Sequence, residues 1–164
     1  MTLRIGIDAR LVHEPQLRGM GRYQQCLVRN LLELEDDLKV FAYHELPARA
    51  ERLAPSPRLH QRRLWMKGSR LYLWEQARLP IQAVAERLHV LHCTANTLPV
   101  LQPVPTVLTL HDAIIMMSDE DETPGFLFYS RSILPQAMAR AARIITISQH
   151  SKEDIIRSLG IPEE

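Results

Sequence analysis

The stretch 106-TVLTLHDAII-115 decides how the chain is read. Thr106, Val107, Leu108, Thr109 and Leu110 are β-branched or large and apolar, as in a strand buried within a sheet. His111 and Asp112 then arrive together, where such a strand leaves the core. The same grammar recurs on either side. Leu3 to Ile7 (LRIGI) ends at Asp8, and Leu38 to Tyr43 (LKVFAY) and Val90 to Cys93 (VLHC) are further short runs. Leu59 to Leu64 is a weaker one, and Ile144 to Ile147 (IITI) closes the series.

Helical patterns separate these runs. Tyr23, Leu27, Leu31 and Leu34 fall on one helical face, after a long loop over 9–22 that carries Pro15, Gly19 and Gly21. Ser69 to Leu88 has helical spacing through Leu71, Trp74, Leu79, Val84 and Leu88, with a break or kink expected at Pro80. Phe126 to Ala142 repeats the pattern with a kink or restart at Pro135. A last helix spans about Ser148 to Leu159, with Gly160 and Pro162 as stop signals. Residues 46–58, with three prolines, and the acidic Asp119 to Pro124 read as loops. Strand and helix in alternation, with short apolar strands, predict an α/β fold: a Rossmann-like parallel sheet with helices on both faces. Ligands of such sheets bind beyond the carboxyl ends of the strands. Asp8 with the glycine loop, Cys93 to Asn96, His111 with Asp112, and Ser148 therefore converge on one edge.

Bulk composition narrows the function. The 164 residues suit one domain, and 46% hydrophobic content supports a globular core. A net charge of +1 and 5% aromatics give no footprint for nucleic acid. Cys26 and Cys93 stand far apart without a CxxC, which argues against a disulfide scaffold or zinc knuckle. Asp8 interrupts any N-terminal signal segment, and no apolar run approaches the ~20 residues that span a bilayer. A cytoplasmic protein is expected.

Four constellations carry chemistry. In RGMGRYQQ (18–25), two glycines just before a helix let backbone N–H groups approach a phosphate. Gln24 stands where a dinucleotide fingerprint needs its third glycine, so the motif is neither that nor a Walker loop. His111 and Asp112 could be an acid/base pair, metal ligands, or a polar end to a strand. Neighbours on an extended strand point to opposite faces, which argues against one shared ion, and His92 with Cys93 meets the same objection. Ser151 and Asp154 fit a capping box for the last helix, with Ser148 as the cap if the helix starts earlier. Arg62, Arg63, Trp65, Lys67, Arg70, Tyr72, Trp74 and Arg78 form a basic stretch with aromatics. It either seats on an anionic membrane or buries Trp74 and solvates its arginines.

Taken in order, RIGIDARLV, RGMGRYQQCLVRNLL, LWEQARLP, LHCTANTLPVLQPVPTVLTLHDAI and RAARIITISQHSKEDIIRSLGIPEE resemble the N-terminal half of family 4 (group 1) retaining glycosyltransferases, particularly bacterial mannosyltransferase-like members. The resemblance implies the GT-B architecture, two Rossmann-like domains facing a cleft. Residues 1–164 would be the acceptor-side domain, and the nucleotide-sugar domain would lie past Glu164. It implies that Gly19 and Gly21 approach the donor diphosphate and that His111, as the catalytic residue, lies beside the transferred sugar. Asn96, Asp112 and Ser148 would line the sugar and acceptor cleft. A hexosyl unit would pass from the nucleotide sugar to a glycan or lipid-linked acceptor, in cell-surface polysaccharide synthesis. No metal or cofactor is required, and the isolated half would transfer poorly. Peripheral contact with the inner membrane face could run through residues 62–78. Two other classes stay open on the residues alone: a stand-alone nucleotide- or protein-binding module, and a small metal-dependent hydrolase.

Overall fold

The computed structural model describes residues 2–34, 36–49, 51–65, 73–113 and 124–159. Its strands are β1 (Leu3–Asp8), β2 (Leu38–His44), β3 (Leu59–Arg63), β4 (Val90–Cys93), β5 (Thr106–Thr109) and β6 (Arg143–Ile145). They form a six-stranded sheet in the order β3-β2-β1-β4-β5-β6. Every pairing is parallel, from Leu3 opposite Leu38 at one side to Thr109 opposite Ile145 at the other. This is the Rossmann-like α/β fold, consistent with the N-terminal domain of a GT-B architecture. The strand order reverses between β1 and β4, the point where doubly wound sheets open a crevice for ligands.

Side chains alternate between two cores, one on each face. On β2, Leu38, Val40 and Ala42 join Ile7 and, from helix α1 (Gly19–Leu34), Val28. Phe41 and Tyr43 point the other way, into a larger cluster with Leu91, Cys93, Leu108, Trp74, Leu79 and Leu134. Helices therefore cover both faces. Gly6 interrupts the apolar run of β1 for a packing reason: a Cβ there would sit 2.3 Å from the Leu88 side chain. That is closer than any atom pair tolerates, so glycine allows the chain entering β4 to lie against the sheet.

The proline-marked helices differ from expectation. A π-helical stretch (Trp74–Arg78) runs without a break into α2 (Leu79–Ala85). Likewise α3 (Pro124–Phe128) passes through a π-helical stretch (Tyr129–Ile133) into α4 (Leu134–Met138). The cause is local. Pro80 and Pro135 lack an N–H and would press their rings on the carbonyl four residues back. Widening the preceding turn relieves this, with Leu79 N–H donating to Trp74 O and Leu134 N–H to Tyr129 O, both five residues back. The expected breaks are thus absorbed as widened turns. The last helix, α5, spans Gln149–Leu159.

Boundaries also shift. Helix α1 starts at Gly19 rather than Tyr23, which puts both glycines inside its first turn. Strand β6 starts one residue early, at Arg143. The expected helical residues 69–72, the acidic loop over 119–123, Ile114 and Ile115, and the stop residues Gly160 and Pro162 lie outside the described residues.

Candidate active site

The carboxyl ends of β1, β4 and β5 carry a continuous set of buried polar groups. Asp8, the last residue of β1, is fully buried and receives Arg10 Nε at 2.8 Å. Arg10 also donates from Nη2 to Glu75 Oε2 at 2.7 Å, and its guanidinium lies 4.8 Å from the Trp74 ring centre. Glu75 accepts further hydrogen bonds from Thr97 Oγ1 and, at 2.5 Å, from the Tyr129 hydroxyl. Two carboxylates flank one guanidinium, and this outweighs desolvation and raises the Arg10 pKa, so it stays charged. Burial, followed by the Glu75 carboxylate, drives the Tyr129 phenol up as well. Glu75 and Tyr129 each sit in a π-helical stretch, so the two widened turns meet at this hydrogen bond.

His111 stands two residues past β5 and is 8% exposed. Its backbone N–H donates to Asn96 Oδ1 at 2.7 Å, and its Nε2 donates to the Thr94 carbonyl at 3.1 Å. Asn96 holds a left-handed backbone (φ 63°), a conformation asparagine tolerates better than most residues. The Tyr23 ring meets His111 edge-on with centres 5.1 Å apart, and the Tyr23 hydroxyl lies 3.0 Å from Thr109 Oγ1. Thr109 Oγ1 also lies 2.8 Å from His92 Nε2. Burial pushes His92 down to about 4, so its ring is neutral, and it pushes the Cys93 thiol well up.

The expected site residues therefore divide. His111 and Asn96 bond directly, and Asp112 follows His111, half-buried. Gly19 and Gly21 lie in the first turn of α1, one turn before Tyr23, and help line a groove of about 710 Å³ with Leu11, Glu14, Pro15 and Arg18. Gly21 has a packing role too: a Cβ would fall 2.8 Å from the Leu11 carbonyl oxygen, whereas Gly19 faces open space. Ser148 has a structural role. Its Oγ accepts the Ser151 N–H at 3.1 Å, so Ser148 caps α5, and the capping box expected from Ser151 and Asp154 is replaced by this cap.

Trp74 is buried to 1% exposure, which settles one half of the basic stretch as core. Arg62 pairs with Glu86 at 2.8 Å, while Trp65 is exposed; Lys67, Arg70 and Tyr72 lie outside the described residues. Among the described residues no helix is long and apolar enough to cross a membrane. Among the described residues, His92 and Cys93 do not converge with further ligands, and no group of three or more metal-binding side chains occurs.

Sequence reading missed Arg10, Glu75 and Tyr129, and it gave Gln24 and Thr94 no role of their own. The available signal was charge in apolar surroundings: Arg10 follows a buried strand directly, and Glu75 adjoins Trp74 on a face otherwise apolar.

Parallel strands, an order reversal at β1/β4 and a polar carboxyl edge define a Rossmann-like domain, a class whose ligands bind at that edge. Residues 17–164 match the family model described as Glycosyltransferase Family 4, and the chain belongs to that family. Its domain is of the glycosyltransferase type, and its substrates are sugar-related. No curated protein matches the chain.

Proposed function

We propose that the chain is the acceptor-side domain of a retaining glycosyltransferase of GT-B architecture, with the nucleotide-sugar domain encoded past Glu164. It transfers a hexosyl unit from a nucleotide-diphosphate sugar to a glycan or lipid-linked acceptor, in cytoplasmic synthesis of cell-surface polysaccharide. The motifs resemble those of bacterial mannosyltransferase-like members, and the sugar is for the donor assay below to identify. The observation that carries this reading is the setting of His111, whose backbone is held by Asn96 and whose ring is held by Thr94, beside the first turns of α1.

The division of labour follows from that setting. With Nε2 donating to the Thr94 carbonyl, the ring's other nitrogen, Nδ1, is the one left to meet a hydroxyl of the transferred sugar. Backbone N–H groups at the start of α1, by Gly19 and Gly21, suit the donor diphosphate, and the helix dipole favours its charge. Asp112 supports the loop or takes a sugar hydroxyl, and Asn96 borders the cleft. Ser148, which caps α5, borders the same cleft. Front-face displacement then lets the departing diphosphate take the acceptor proton, with no resident metal or cofactor required. Any membrane contact through residues 62–78 would use Trp65 and the flanking arginines, since Trp74 is in the core.

Calorimetry and transfer assays with UDP- and GDP-hexoses test this, on the chain and on the product of its reading frame extended past Glu164. One donor should bind and turn over, and His111→Ala should cut kcat roughly 100-fold, the scale of a lost positioning contact. If no nucleotide sugar binds either protein, the reading fails and a non-catalytic binding module replaces it.

A further inference from the structure

Gln24 is fully buried, and both ends of its amide are committed. Its Oε1 accepts the Leu11 N–H at 3.0 Å, and Leu11 lines the groove beside Gly19 and Gly21. Its Nε2 donates to Thr94 Oγ1 at 2.8 Å. Thr94 passes its own hydroxyl hydrogen to the Asp8 carbonyl at 2.6 Å, and its backbone carbonyl accepts from His111 Nε2 at 3.1 Å. A path of buried hydrogen bonds therefore joins the groove-lining loop, the ends of β1 and β4, and His111. Thr94 is its hub, because its hydroxyl both accepts and donates while its carbonyl holds the imidazole. Losing that hydroxyl would leave the Gln24 N–H and the Asp8 carbonyl unpaired in the interior, which proteins avoid.

We propose that Gln24 and Thr94 are positioning residues that lock the α1 loop and His111 into one unit and fix the His111 ring as its Nε2–H tautomer. The proposal rests on the glycosyl-transfer reading for its chemical meaning: anion contact at the groove and sugar contact at Nδ1 are then held in a fixed relation. Neither residue touches the reacting atoms.

Nitrogen-15 NMR of the imidazoles tests the coupling without any activity assay. Wild-type chain should show His111 as the Nε2–H tautomer, and Thr94→Ser, which keeps the hydroxyl, should match it. Thr94→Val keeps the shape but removes the hub, and its His111 should become a mixture of tautomers. Gln24→Glu keeps the acceptor for Leu11 and sets a buried carboxylate oxygen against Thr94 in place of the donor, so its His111 should shift part of the way. It also decides the matter should Thr94→Val fail to fold. Where transfer is measurable, Thr94→Val should lower kcat roughly 10–100-fold, with donor KM changing much less. A wild-type ring protonated on Nδ1, or a ring unmoved in both Thr94→Val and Gln24→Glu, overturns the proposal. A fixed Nε2–H ring that responds to these variants in a protein that turns over no nucleotide sugar sinks the transfer reading and leaves the coupling standing.

Discussion

At the residue scale, the two glycines of the α1 start separate cleanly. Gly21→Ala drives a methyl against the Leu11 carbonyl, and overpacking against backbone should cost about 1–3 kcal/mol in urea unfolding. Gly19→Ala meets nothing and should be neutral or slightly stabilising, since alanine favours helix. Equal losses from both would show that the close approach at Gly21 is not what matters. The buried histidines give a second prediction. Burial lowers His13 and His92 to about 4 and lowers His44 as well. Between the ordinary value near 6.5 and about 4, the unfolded chain takes up protons that the fold refuses. Stability is therefore complete above about pH 6.5 and is lost progressively as pH falls toward 4. Thermal melts from neutral pH downward check the sign, and a flat melting temperature across that range refutes it. The burial of His92 was legible from its place in the β4 run, but that of His13 was not: it lies in a stretch that reads as loop, and only the fold packs it edge-on against His44, ring centres 4.4 Å apart.

At the element scale, periodicity found every strand and most helix faces, because short apolar runs and four-residue steps are local facts. Ends were less legible. Gly19 to Arg22 carry no apolar stripe, yet they are helical because Arg22 N–H reaches the Arg18 carbonyl at 2.9 Å and Gly21 packs on Leu11. The choice between Ser148 and Ser151 as the cap of α5 turned on where β6 stops. Ser148→Ala should cost about 1 kcal/mol and speed amide exchange at Ser151, and Ser148→Asp should restore the cap. If Ser148→Asp instead exchanges as fast as Ser148→Ala, the side chain is not the cap. Prolines were read as breaks because the sequence reports the missing N–H. It does not report that neighbouring turns can widen by one residue and keep the helix whole.

At the scale of the whole molecule, the Asp8–Arg10–Glu75 network ties β1, the π-helical turn before α2 and the one carrying Tyr129 into one interior. Glu75 accepts from Arg10, Thr97 and Tyr129 and is 1% exposed. Glu75→Gln removes the charge and sets an amide against those donors, so it should lose roughly 3–5 kcal/mol of folding stability. An unfolding curve matching wild type would mean that Asp8 alone suffices for Arg10. The place to look was legible, since strand ends in a parallel sheet share one edge, and there the His111 backbone bonds to Asn96. Which side chains bond to each other there was not.

Sequence alone determined the strand and helix alternation, the parallel α/β class and the edge at which to look, because each follows from apolar spacing along a few residues. The resemblance carried by its motifs pointed to the glycosyltransferase family. Tertiary structure decided that Gln24 and Thr94 connect the α1 loop to His111 and that Arg10 is buried between two carboxylates. These pairings join residues 70 or 65 positions apart, as Gln24 to Thr94 and Arg10 to Glu75 are, and no local pattern encodes contacts made only when the sheet assembles.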